Sequence, residues 1–90
     1  MKTVFQQVMR ALSDSTRRKI LELLKKGPMT ATQVADCFAI SAPAISKHLN
    51  ILKDAGLVRC RREGTFLIYE LCASVLEEVI AWMLELKEDT

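Results

Sequence analysis

The stretch from Thr30 to Cys72 restricts this chain to very few folds. Thr30 followed by Gln33 is a capping box that opens a short helix, with Val34, Ala35 and Phe38 at inward spacing. Ser41 caps another helix a few residues later, and Pro43 sits in its first turn, where an amide has no partner to lose. Gly56 ends that helix. Leu57–Arg62 and Thr65–Cys72 then alternate as two strands about Glu63-Gly64, a two-residue hairpin signal. Two short helices in tight succession and an arginine-bearing hairpin directly after describe a helix-turn-helix with a basic ribbon attached. A helix-turn-helix lays its second helix in the DNA major groove, and arginines around a hairpin turn reach the neighbouring phosphates.

The helix after Ser41 sorts its own faces. At 100° per residue, Ile45, Leu49 and Leu52 lie within about 60° of one another and point to a core. Pro43, Ser46, Lys47 and Asn50 occupy the other side, a small, neutral-to-basic surface suited to a groove. Lys47 can serve guanine or a phosphate, Ser46 reads several base edges, and Ala42 and Pro43 offer only apolar contact to a thymine methyl. Thr30 and Thr32 stand where helix-end amides bind phosphate, although capping accounts for Thr30 equally well. Arg61, Arg62 and Thr65 are the phosphate or minor-groove candidates of the hairpin. With Glu63-Gly64 as the loop, Val58 and Cys60 share the inner face with Leu67, Tyr69 and Leu71, and Cys60 faces Leu67. Arg59 and Arg61 then point outward.

His48 flanks the core side of its helix. It braces that helix, with the DNA backbone within reach. As the only histidine it has no second imidazole for a metal pair, and no nucleophile stands in a triad pattern with it. Paired carboxylates and a glycine-rich phosphate loop are missing too, so an enzyme is not indicated. Cys37, Cys60 and Cys72 form no CxxC pair and an odd count. They read as small buried hydrophobes in a reducing compartment, a redox switch being the alternative.

The flanking segments complete one domain, residues 1–90. A helix from about Thr3 to Leu12 carries Phe5, Val8, Met9 and Leu12 at helical spacing. Asp14 caps a second, running Arg17–Leu24, that buries Ile20, Leu21, Leu23 and Leu24 and stops at Gly27-Pro28. Arg17-Arg18-Lys19 reads as a solvated or structural face. The closing helix, about Ala73 to Lys87, is apolar over roughly 200° of its circumference, twice what one core needs. Half of the 90 residues are hydrophobic, more than a core this small hides, so a second copy is expected to cover the surplus. The expected twofold contact joins the first and last helices through Phe5, Val8, Met9, Val79, Trp82, Met83 and Leu86. The alternative is a terminal helix fully buried in a monomer.

Charge is unevenly placed. Residues 1–62 hold twelve Lys and Arg against four acids, giving +8, while residues 63–90 hold one Lys against seven acids, giving −6. The net +2 thus conceals a basic body, and phosphate binding needs only one positive face. No apolar run nears the roughly 18 residues of a membrane span and no signal peptide opens the chain, so a cytoplasmic location without membrane insertion is expected.

Three segments together resemble a known family. Ser13-Asp14-Ser15-Thr16-Arg17-Arg18-Lys19-Ile20-Leu21 is similar to the S-D-P-T-R-R-x-I-L opening of the ArsR/SmtB winged-helix repressors, with Ser15 in place of the usual Pro. Ser41 to Leu52 resembles their S-x-P-A-[IV]-S-x-H-L-x-x-L recognition helix, and Gly56-Leu57-Val58, Arg61-Arg62-Glu63-Gly64 and Tyr69-x-Leu71 resemble their wing. The closing Ile80-Ala81-Trp82-Met83-Leu84 and the short length are most similar to the SdpR-type autorepressors of that family. The resemblance implies a mainly α winged helix-turn-helix with a small β-hairpin wing before the fifth helix. It also implies a homodimer, through the first and last helices, on double-stranded DNA carrying an inverted-repeat operator, with repression released by a signal.

The signal does not carry over. Metal-sensing members use a cysteine motif where this chain has Thr30-Ala31-Thr32, or Asp/His/Glu ligands on the last helix, and residues 73–90 contain neither His nor Cys. Thiol-sensing members pair a cysteine of the second helix with one of the last, and both are missing here. Where members often carry Gln-Ser, this chain has Ala42-Pro43. No metal or cofactor is expected. A protein partner that relieves repression is as compatible with these residues as a small molecule. The other readings are a thiol- or ligand-switched repressor and a winged-helix module for protein–protein contact.

Overall fold

A single apolar core collects residues from every helix. Val8 and Ala11 come from the first, Ile20 and Leu24 from the second, Val34 from the third, Ile45, Leu49 and Leu52 from the fourth, and Val79 from the last. The structure, a computed structural model, describes residues 4–88. Its elements are α1 (Val4–Leu12), α2 (Ser15–Leu24), β1 (Met29–Thr30), α3 (Ala31–Ala35), α4 (Ala42–Asp54), β2 (Val58–Glu63), β3 (Phe66–Leu71) and α5 (Ser74–Glu88).

The helix starts follow their caps. The Asp14 side chain accepts from Arg17 N, so α2 begins at Ser15, two residues earlier than the expected Arg17, because a cap stands directly before the first helical residue. At α3 both halves of the capping box form: Gln33 N donates to Thr30 Oγ1 at 3.1 Å and Thr30 N to Gln33 Oε1 at 2.8 Å. Ser41 Oγ accepts from Ala44 N at 3.3 Å, and Pro43 lies in the first turn of α4 as expected. The other end of α4 closes with a Schellman motif, Gly56 N to Lys53 O and Leu57 N to Leu52 O, both 3.0 Å. Gly56 has φ +80°, and a Cβ there would lie 3.1 Å from Val75 Cγ2, so both backbone angle and space favour glycine.

The sheet differs from the expected hairpin in two respects. β1 joins it as a third strand, in the order β1-β3-β2, with Met29 opposite Tyr69 and Thr30 opposite Ile68. Two residues carry no readable alternation, which is why the strand was not legible. The turn is Gly64-Thr65 rather than Glu63-Gly64, and Glu63 pairs with Phe66. A two-residue turn of the primed kind puts positive φ at its first central residue. Gly64 supplies it at +61°, and no non-glycine among the described residues has positive φ. The shift by two residues keeps each strand's faces but changes the partners, so Cys60 lies opposite Tyr69, not Leu67.

Candidate nucleic-acid interface

The inward side of α4 is closed, with Ile45, Leu49 and Leu52 at most 1% exposed. On its outward side Ala42, Pro43, Ser46, Lys47 and Asn50 are all exposed. Lys47 has no hydrogen-bond or ion-pair partner among the described residues. The face is therefore packed against the core from behind and left unpaired in front, as a groove-reading surface requires. At the start of α3, Thr32 is exposed, while the Thr30 hydroxyl already accepts from Gln33 N.

The hairpin arginines divide into two kinds. Arg59 Nε donates to Glu70 Oε1 at 2.8 Å. Arg61 Nη1 lies 3.4 Å from that same oxygen, and Arg61 Nη2 lies 3.2 Å from Glu63 Oε2. Both outward arginines thus share their charge with carboxylates of the wing. Arg62, on the other face opposite Leu67, is exposed and has no such partner among the described residues. Thr65 is exposed in the turn, and beside it stands the strongly exposed Phe66, an aromatic at the tip of the wing that strand alternation alone does not single out.

His48 is tied into the body. Its Nδ1 lies 3.2 Å from Arg17 Nη1 and 3.9 Å from Asp14 Oδ2. A guanidinium only donates, so Nδ1 is the acceptor and the neutral ring carries its proton on Nε2. Arg17 is buried, not solvated, and its other nitrogens serve the end of α1: Nε donates to Ala11 O at 2.8 Å and Nη2 to Arg10 O at 3.0 Å. The Asp14 carboxyl is held below its usual value, chiefly by the Arg17 amide that donates to it, then by the positive charge of Arg17 and by His48. The only sequence signal for this cluster was the Asp14 cap; that Arg17 reaches His48, 31 residues away, is decided by the fold.

The expected self-contact face needs correcting. Val8 and Val79 lie in the core, 0% and 3% exposed, where α1 packs on α2 and α4 and α5 packs on α1. Phe5 and Met9 are half-buried, and Trp82, Met83 and Leu86 are exposed. Ile80 and Leu84, outside the expected contact set, are exposed beside them. The rings of Phe5 and Trp82 are 5.5 Å apart at 32°, and together with Met9, Arg10, Ile51 and Asp54 they line a groove of about 680 Å³.

The cysteines are free. Cys60 and Cys72 are half-buried, but Cys37 is exposed, contrary to its reading as a buried hydrophobe. Its residue lies in the turn after α3 has ended at Ala35, where Sγ donates to Gln33 O at 3.4 Å. Among the described residues no group of three or more His, Cys, Asp or Glu is placed to hold a metal ion. No helix there is long and apolar enough to cross a membrane.

Comparison with known proteins agrees with this architecture. Residues 12–61 match a family described as a helix-turn-helix domain. The transcriptional repressor SdpR of Bacillus subtilis is 54% identical over 77 residues, covering 86% of each chain. The crystal structure of an ArsR family transcriptional regulator superposes with a TM-score of 0.91 at 30% identity, over 96% of this chain and 94% of that one. The solution structure of a homodimeric winged helix-turn-helix DNA-binding domain from Mycobacterium bovis, a possible ArsR-family regulator, gives a TM-score of 0.76 at 28% identity, over 96% and 80%. With its helix-turn-helix core, its wing and these relatives, the chain belongs to the ArsR family of DNA-binding transcriptional regulators, which are not enzymes.

Proposed function

We propose that residues 1–90 form one DNA-binding domain that represses transcription as a cytoplasmic homodimer on an inverted-repeat operator, without a metal or other cofactor. The observation that carries this is the contrast across α4, buried behind and unpaired in front. Two α4 helices related by a twofold axis would enter successive major grooves about 34 Å apart, occluding the promoter. Ser46 and Lys47 take base edges or phosphate, Ala42 and Pro43 pack on thymine methyls, and Thr30 and Thr32 meet the backbone at the start of α3. In the wing Arg62 and Thr65 are the freer contacts, and Arg61 exchanges a carboxylate for phosphate when it engages. His48 supports α4 and offers Nε2–H toward the backbone. Phe5, Met9, Ile80, Trp82, Met83, Leu84 and Leu86 form the twofold contact.

The exposed apolar arc of α5 supports pairing, since a solvated α5 alone leaves Ile80, Trp82, Met83, Leu84 and Leu86 in water. The absence of His and Cys from residues 73–90 supports a metal-free repressor. Release would then come from a protein partner or from promoter-level control. The test is fluorescence anisotropy against DNA from immediately upstream of the chain's own gene, with a scrambled duplex, a chelator and an oxidant/reductant pair as controls. Specific, chelator-independent binding is expected; binding lost on chelation overturns the metal-free assignment.

A further inference from the structure

Arg17 is the one buried charged residue in the described chain, and the interface above gives it no contact with DNA. It links three elements. It stands in the first turn of α2, its Nε and Nη2 hold the last carbonyls of α1 at 2.8 and 3.0 Å, and its Nη1 holds His48 of α4 at 3.2 Å. The carbonyls at a helix C-terminus have no partner within their own helix and carry partial negative charge, so they seat a guanidinium well. The rigid planar fork then fixes directions, which a flexible ammonium does not.

The apolar anchors of α4 do not fix those directions by themselves. Ile45, Leu49 and Leu52 bury their helix face, but hydrophobic burial is non-directional and leaves a packed helix free to roll slightly about its axis. His48 lies at the edge of that buried face, next in sequence to Lys47 and two residues from Ser46. A directional bond at this edge sets the roll of α4. A small roll displaces Ser46 and Lys47 from the base edges while leaving them near the phosphates.

We propose that Arg17 is a positioning residue for operator binding, locking the roll of α4 against α1 through His48 Nδ1. This rests on the repressor reading. Arg17 acts on sequence-specific affinity and not on charge-driven affinity, because it contributes no phosphate contact of its own.

The test begins by selecting a duplex from a random library with the wild-type chain, then titrating wild type, Arg17→Gln, His48→Ala and the double variant against it and against a scrambled duplex at several salt concentrations. Arg17→Gln should weaken the selected duplex by about tenfold and leave the scrambled one unchanged, as expected when a supporting group is lost. Its salt slope should stay at the wild-type value; a slope reduced by about one marks a phosphate contact and overturns the proposal. The double variant should bind no worse than His48→Ala, since Arg17 acts through His48; additive losses overturn it. Should Arg17→Gln not fold, His48→Ala leaves both α1 bonds of Arg17 in place and should weaken the selected duplex but not the scrambled one; equal losses on both mark the loss of a backbone contact from Nε2 and overturn the proposal, as does wild-type binding to the selected duplex. If the wild type enriches no duplex, the repressor reading fails and takes this inference with it. If it enriches one that Arg17→Gln binds equally well, this inference alone fails.

Discussion

The helix-turn-helix body and α5 are built on opposite terms. In the body, Ile20, Val34, Ile45, Leu49 and Leu52 are all essentially inaccessible to water, and α2, α3 and α4 each start on a side-chain cap, Asp14, Thr30 and Ser41. α5, at fifteen residues the longest helix described, buries Val79 alone, while five large apolar side chains on it are 40–54% exposed. The body is complete as a single chain; α5 has spent one stripe on its own core and leaves the rest uncovered. A mutation in the body should therefore read out in folding, and one on the outer arc of α5 in assembly.

The largest test of that contrast is Leu49→Ala. Truncating a fully buried leucine costs about 2–5 kcal/mol, a large share of a small domain's stability, so thermal melting should fall steeply and DNA binding with it. A melting temperature unchanged by this substitution would show that α4 is not held by its apolar face. Next is Trp82→Glu, a charge placed at the edge of the uncovered arc where the indole meets Phe5. Sedimentation should report monomers with helical content retained and operator affinity lost; a folded variant that still dimerises moves the contact off α5. Lys47→Ala comes third. Affinity for the selected duplex should fall about tenfold with melting unaltered and with the salt slope reduced by about one if the lysine meets a phosphate. Melting that dropped instead would place Lys47 in the fold and not in the interface.

The smallest effect sharpens the body side. The Asp14 carboxyl titrates below 3.8 in the folded chain, so its ionised form is favoured by folding. That contribution is fully present above 3.8 and is lost as pH falls through the lower folded value. Asp14→Asn keeps the cap oxygen without the charge. Its melting temperature should therefore fall less than that of wild type over the acid limb, and identical acid limbs would rule out Asp14 as a contributor.

Much of this was legible because it depends on local rules. Thr30 with Gln33, Ser41 before Pro43, and Gly56 after Asp54 mark element ends within a few residues of one another, and the structure places those ends where the rules ask. The inward set Ile45, Leu49 and Leu52 followed from the helical period alone. What failed did so where two elements had to be known at once. Val8 and Val79 look like any other apolar residue on their helices, and only the direction from which the core approaches separates them from Met9 and Met83. The hairpin turn was misplaced by one residue because Glu63-Gly64 and Gly64-Thr65 both contain the glycine, and only the required sign of φ at the first position decides between them. Free cysteines are usually buried, yet α3 ends before reaching Cys37 and leaves it exposed.

The sequence by itself determined the order of helices, their caps and the basic, small-residue face of α4, because hydrophobic period, capping chemistry and turn residues act over a few positions. The tertiary structure decided the rest. It brought Arg17 to His48 across 31 residues, paired Arg59 and Arg61 with Glu70 while giving Arg62 no such partner among the described residues, and divided the apolar residues of α1 and α5 between core and surface. These depend on which faces meet in space, and a one-dimensional pattern encodes that an apolar face exists, not what will cover it.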